Sequence, residues 1–144
     1  MKVSTNTTRD QERNMTAKKE LRLVLFSFGF KYGSPVDTNF VLDVRLLPNP
    51  YWVSEMRHKT GLKNDVADYV LKSKEGEELL DRLNPLLSFL VEQSGVAGKD
   101  VLRIGIGCTG GRHRSVAVTE QLASSLRKTG ASPIIFHRDI KKDG

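Results

Sequence analysis

Cysteine is nearly absent from this sequence: Cys108 is the only one among 144 residues. A single thiol closes no internal disulfide, so the fold must rest on a packed core, and a reducing cytoplasm is the expected compartment. Histidine is sparse too. His58, His113 and His137 are scattered, no Cys/His spacing suggests zinc, and neither a metal nor a cofactor is expected. No apolar run approaches the roughly 20 residues that span a bilayer. Residues 1–19 lack the apolar segment of a secretory leader, so no membrane association is expected.

Acid is in deficit as well. Lys and Arg number 23 against 17 Asp and Glu, a formal charge of +6. That balance favours an anionic partner, whether nucleic acid, a phosphorylated small molecule or an acidic surface, without choosing among them. The length suits one domain. Residues 1–19, rich in Thr, Asn, Lys and Arg and without periodicity, read as a disordered polar tail, which leaves 20–144 as an α/β domain.

Within it, "LRLVLFSFGF" (21–30) reads as a buried strand and "FVLDVRLL" (40–47) as a second, stopped by two prolines. Residues 65–73 form a short helix. Ser73 then caps a helix carrying apolar residues from Leu79 to Val91, which Pro85 should kink or split. After a turn at 94–100, "VLRIGIG" (101–107) is a third strand, 113–129 a helix stopped by Gly130, and "SPIIFHRDI" (132–140) a fourth strand. Strands separated by helices imply a mainly parallel, Rossmann-like sheet of about four strands with flanking helices. Ligands bind such sheets at the carboxyl ends of the strands, so the loops after the first three strands should share one rim.

The loop "CTGGRHRS" (108–115) carries the most chemistry. Gly110 and Gly111 allow positive φ and close approach of backbone to a ligand. Amide groups of Thr109, Gly110 and Gly111 can converge on one concavity, and the following helix adds its positive end. Arg114 supplies a fork for phosphate and Ser115 a hydroxyl. The alternative is a purely structural strand-to-helix turn. Cys-x5-Arg-Ser also resembles the signature of cysteine-dependent phosphatases. Cys108 would then be a nucleophile and Asp37 or Asp43 a general acid; otherwise Cys108 is a packing thiol or a ligand contact. Other residues carry two readings each. Asp43 and Arg45 alternate on a strand toward the rim, or pair with one another. Asn49 binds a sugar or shapes the turn between Pro48 and Pro50. Tyr51 and Trp52 stack on a ligand or pack under a loop. His113 touches ligand or merely opens the helix. Arg57, His58, Lys59 and Lys63 read as a solvated loop rather than an RNA path. Arg112, Lys128, Arg138, Lys141 and Lys142 would line one basic RNA surface if the last strand lies beside the Cys108 loop.

The segments "SFGFKYGSP" (27–35), "FVLDVRLLPNPYW" (40–52), "TGL" (60–62), "IGCTGGRHRSVAVTEQLA" (106–123) and "HRDIKK" (137–142) occur in one order. Together they resemble the carboxyl-terminal domain of the RapZ family, adapters that present small regulatory RNA to a ribonuclease. The resemblance implies a self-associating domain that binds RNA and senses an amino-sugar phosphate, glucosamine-6-phosphate. It departs from the family in three places. About twenty polar residues stand where an amino-terminal nucleotide-binding domain precedes, so ATP binding is not carried over. Tyr51 replaces the His that follows Pro-Asn-Pro. Asp139 and Asp143 interrupt the basic end.

The wide apolar stripe from Leu79 to Val91 predicts a partner surface and a homodimer or higher oligomer. Light scattering at micromolar concentration should therefore give a mass above the 16.1 kDa of one chain; a mass near that value, unchanged by ligand or RNA, would leave the stripe wholly internal.

Overall fold

A computed structural model describes residues 20–142; the tail expected at 1–19 lies outside them. The elements run β1 (Arg22–Gly29), β2 (Phe40–Asp43), α1 (Asn64–Leu71), α2 (Lys74–Val96), β3 (Val101–Cys108), α3 (Arg114–Lys128) and β4 (Ile134–His137), with short 3-10 turns at Phe30–Tyr32 and Pro50–Trp52. The strands form one sheet in the order β2-β3-β1-β4, and every pair is parallel. The expected Rossmann-like arrangement is therefore present.

β1 is central, and its near-continuous apolar run follows from burial on both faces. Leu23 and Leu25 join Leu102, Ile104 and Ile106 of β3 in the main core, under the helices. Val24, Phe26 and Phe28 form a second cluster on the opposite face. The register sets Phe26 beside Gly105 and Phe28 beside Gly107. A Cβ on Gly107 would lie 2.5 Å from Cζ of Phe28, so the missing side chains of β3 are the room in which the rings lie. α3 packs on β1, β3 and β4 and also meets α1 and α2. Its Val118, Leu122 and Leu126, four residues apart, are all buried. His137 bridges Ser27 of β1 and Glu120 of α3, at 2.7 Å to each, and ties three elements together.

Several boundaries differ from the sequence reading. β2 ends at Asp43 instead of running to 47, because the Asp43 carboxylate accepts from the Arg45 N–H at 3.0 Å and turns the chain. β4 covers four residues of the expected 132–140. The Arg138 N–H still donates to the Ser27 carbonyl, after which the Asp139 side chain takes the Gly29 N–H that further pairing would use. Ser73 caps α2 as expected, accepting from the Gly76 N–H at 3.0 Å. Pro85, however, does not split α2, which is continuous to Val96 and so takes in part of the expected turn. Pro85 deprives the Asp81 carbonyl of its partner, but both residues are exposed and water can replace the bond, while Leu83 and Leu87 anchor the helix on either side.

Pairing of Gly29 with Cys108, Asp43 with Gly107 and Ser27 with His137 brings all four strand ends to one edge. No helix among the described residues is long and apolar enough to cross a membrane. Leu87 is fully buried, whereas its neighbour Leu86 is 45% exposed. Leu87→Ala should lower unfolding free energy by about 2–5 kcal/mol, and Leu86→Ala by no more than ~0.5 kcal/mol, in chemical denaturation.

Candidate functional site

A cavity of about 570 Å³ opens at the carboxyl edge, walled by the exits of β1 and β3, the Asn49–Trp52 turn and the loop that follows it. Its floor is the Cys108–Arg114 turn. Gly111 has φ +77°, as its role requires; Gly110 does not adopt positive φ. A Cβ on Gly110 would meet nothing within 4 Å; it is Gly29 and Gly111 whose missing side chains let the two backbones touch. A Cβ on Gly29 would lie 2.5 Å from the Gly110 carbonyl carbon, and one on Gly111 would lie 2.5 Å from the Gly29 nitrogen. The Lys31 N–H donates to the Thr109 carbonyl beside this contact. Asp139, completely buried, braces it by accepting from the Gly29 N–H at 2.7 Å and from Arg138 and Lys142. Burial alone would raise the Asp139 pKa; the bonds from Arg138, Gly29 and Lys142 outweigh that and hold it below the usual carboxylate value.

Arg114 begins α3 yet is only 6% exposed. One of its terminal nitrogens donates to the carbonyls of Arg45 (2.7 Å) and Leu47 (3.2 Å), and the other reaches the Thr109 hydroxyl at 3.5 Å. Its Nε has no partner. A buried guanidinium with one donor unspent thus lines the cavity at a helix N-terminus.

The loop 51–63, expected to be a solvated stretch, is partly a wall. His113 Nε2 meets the Arg57 carbonyl at 3.1 Å, the Gly61 N–H donates to the Arg112 carbonyl at 2.8 Å, and Arg112 reaches the His58 carbonyl at 3.5 Å. Gly61 is the glycine of "TGL" because a Cβ there would collide with the His113 carbonyl and the Ala117 nitrogen. Arg57 donates to the Tyr51 carbonyl at 2.7 Å and lies over the Tyr51 ring. Trp52 stands edge-on to Tyr51 and is 75% exposed, which removes the reading of a ring packed under a loop.

Of the residues expected at the site, Asn49, Tyr51, Cys108, Thr109, Gly110, His113 and Arg114 line the cavity; Gly111 and Ser115 lie just beneath it. The Cys108 thiol, 2% exposed, donates to the Ser115 hydroxyl at 3.1 Å. Asn49 spends its side-chain oxygen on the Tyr51 N–H. Asp43 and Arg45 are not in the lining: they form a bidentate pair at the end of β2, each side chain 47% exposed, and Arg45 holds the Asp43 pKa below its usual value. Arg112 lines the cavity and donates to the Ile140 carbonyl, so the turn after β4 does lie beside the Cys108 loop. Arg138 and Lys142 are there too but bound to Asp139, and Lys141 is exposed. Lys128 stands at the far end of α3, about 20 Å away by helical rise. Sequence reasoning missed Lys31 and leaned away from Arg57 and His58 as site residues. Position just past the end of β1 was the available signal for Lys31; nothing local marked the other two.

A family model described as RapZ C-terminal domain matches residues 21–141. A nucleotide-binding protein of Caldicellulosiruptor saccharolyticus is 46% identical over 127 residues, which are 88% of this chain and 43% of that protein. One from Streptomyces coelicolor is 46% identical over 124 residues (86% and 42%), and one from Acetivibrio thermocellus 48% over 120 residues (83% and 41%). The chain thus spans less than half the length of these curated relatives.

His113 is buried, and desolvation lowers its pKa below 6.5, with Arg112 and Arg114 adding to the shift against the opposing hydrogen bond to the Arg57 carbonyl. A depressed histidine favours the folded state while it is neutral; as pH falls through 6.5, the unfolded chain takes up the proton first and that stability is lost. His113→Gln should accordingly flatten the decline of unfolding free energy below pH 6.5. An unchanged slope in denaturation at a series of pH values would contradict a buried neutral His113.

Proposed function

Because this chain belongs to the RapZ C-terminal domain family, we propose that it is a binding domain for a phosphorylated metabolite, taken up on the Cys108–Ser115 loop. The observation that carries the reading is Arg114: a buried guanidinium, fixed by three oxygens, that lines the cavity without an acidic partner among the described residues. Phosphate offers that guanidinium an acceptor and meets the amides of a glycine turn at a helix N-terminus, where anions are favoured. Tyr51 and Trp52 suit the apolar face of a sugar ring, so a sugar phosphate is the class we infer, including the amino-sugar phosphate that the family resemblance implies.

A phosphatase built on Cys108 needs a proton donor for the leaving group. The cavity lining contains no Asp or Glu, and Asp43 is paired with Arg45 outside it. RNA binding finds modest support, since Arg138 and Lys142 share Asp139, whose single charge offsets one of the two, and Lys128 is remote. A reducing cytoplasm suits the lone buried thiol.

Calorimetry with inorganic phosphate, glucose 6-phosphate and glucosamine 6-phosphate tests the proposal. Binding is expected with all three, and Arg114→Lys, which keeps the charge but not the planar fork, should weaken it by about 1.5–3 kcal/mol. No binding of any of them at millimolar concentration would end this reading. Aryl phosphate turnover abolished by Cys108→Ser would replace it with the catalytic one.

A further inference from the structure

We propose that the preferred ligand carries two phosphoryl groups, one on the Cys108–Ser115 loop and the second at Arg57 and Arg112; this rests on the phosphate-binding reading above. Three guanidinium groups, of Arg57, Arg112 and Arg114, line the same cavity, and its lining contains no carboxylate. None of the three has an acidic partner among the described residues. Three acids at this edge are engaged elsewhere: Asp43 with Arg45, Asp65 with Lys59, and Asp139 with Arg138 and Lys142.

The three arginines are nevertheless held in place. Arg57 donates to the Tyr51 carbonyl, Arg112 to the carbonyls of Ile140 and His58, and Arg114 to those of Arg45 and Leu47. Carbonyl oxygens fix a guanidinium without cancelling its charge. A surface arginine that merely balances net charge swings free in solvent; these three are oriented by the frame of the pocket. Each guanidinium has five N–H donors, so several on Arg57 and Arg112 remain for a ligand.

The charge balance selects the ligand. One phosphate monoester carries about −1.5 to −2 at neutral pH, which leaves at least one of the three arginines uncompensated. Two phosphoryl groups bring roughly −3 to −4 and so engage all three arginines. The space allows it, because about 570 Å³ falls within the range of sites that enclose a whole small molecule rather than a single ion.

The test compares glucose 1,6-bisphosphate with glucose 6-phosphate, which differ by the second phosphate alone, by calorimetry on the full chain. The bisphosphate should bind at least about tenfold more tightly. Arg57→Gln and Arg112→Gln should each shrink that preference toward unity. Arg57→Gln alone decides the matter if Arg112→Gln fails to fold, since Arg57 makes the fewer structural bonds. Equal affinity for the two sugars overturns the second phosphate site and leaves the first standing. If neither sugar nor inorganic phosphate binds, both readings fall together. A preference that survives both substitutions also overturns the assignment, because the second phosphate would then be held elsewhere.

Discussion

The burial of Arg114 is the constraint on which the carboxyl edge depends. A guanidinium withdrawn from water must recover its hydrogen bonds from the protein. Here it does so from the backbone carbonyls of Arg45 and Leu47 and, more weakly, from the Thr109 hydroxyl. Those partners dictate the local path. The chain leaving β2 has to turn back over the start of α3 so that its carbonyls face inward, and the Asp43 carboxylate makes that turn by capturing the Arg45 N–H. The Asn49–Trp52 turn then follows directly against the glycine loop. One buried cation thus joins the second strand, the third strand's exit and the third helix, and it lines the space they enclose.

Around it the edge is assembled mostly from main-chain groups. His113, Arg112 and Gly61 join the 51–63 loop to the glycine turn, and Asp139 joins the turn after β4 to Gly29. Carboxylates serve this frame and not the cavity: Asp139 is spent on backbone and two cations, Asp43 on Arg45. The result is a cleft whose walls are positive and whose bracing is made of main-chain bonds and ion pairs. Such a cleft focuses field on whatever enters it and favours anions before any specific contact forms.

The elements that depend on local pattern were legible. β1 and β3 announced themselves as apolar runs, α3 by its four-residue spacing and glycine stop, and the rim by the rule for parallel sheets. The ends of β2 and β4 were not, because an aspartate side chain in each case outcompetes the ladder, and its reach depends on where the neighbouring strand lies. Pro85 misled because its cost falls on an exposed carbonyl and is offset by Leu83 and Leu87. At the site, the glycine turn, Arg114 and His113 could be read from a contiguous motif. Arg57, His58 and Lys31 could not, since they become wall residues through bonds to groups about 55 to 80 positions away. Asp43 and Arg45 were drawn toward the pocket by strand alternation, which lapses where the strand stops.

The hydrogen bond from Gly29 to Asp139 links residues 110 apart in sequence. During synthesis, β1 leaves the ribosome long before its brace exists. The core can begin to gather once β3 and α3 have emerged, but the glycine contact at the rim stays without its carboxylate until β4 and the turn after it have been made. The rim should therefore gain its final order only after β4 and that turn have emerged. A chain interrupted before them would carry the basic loop and its arginines without the contact that fixes their backbone.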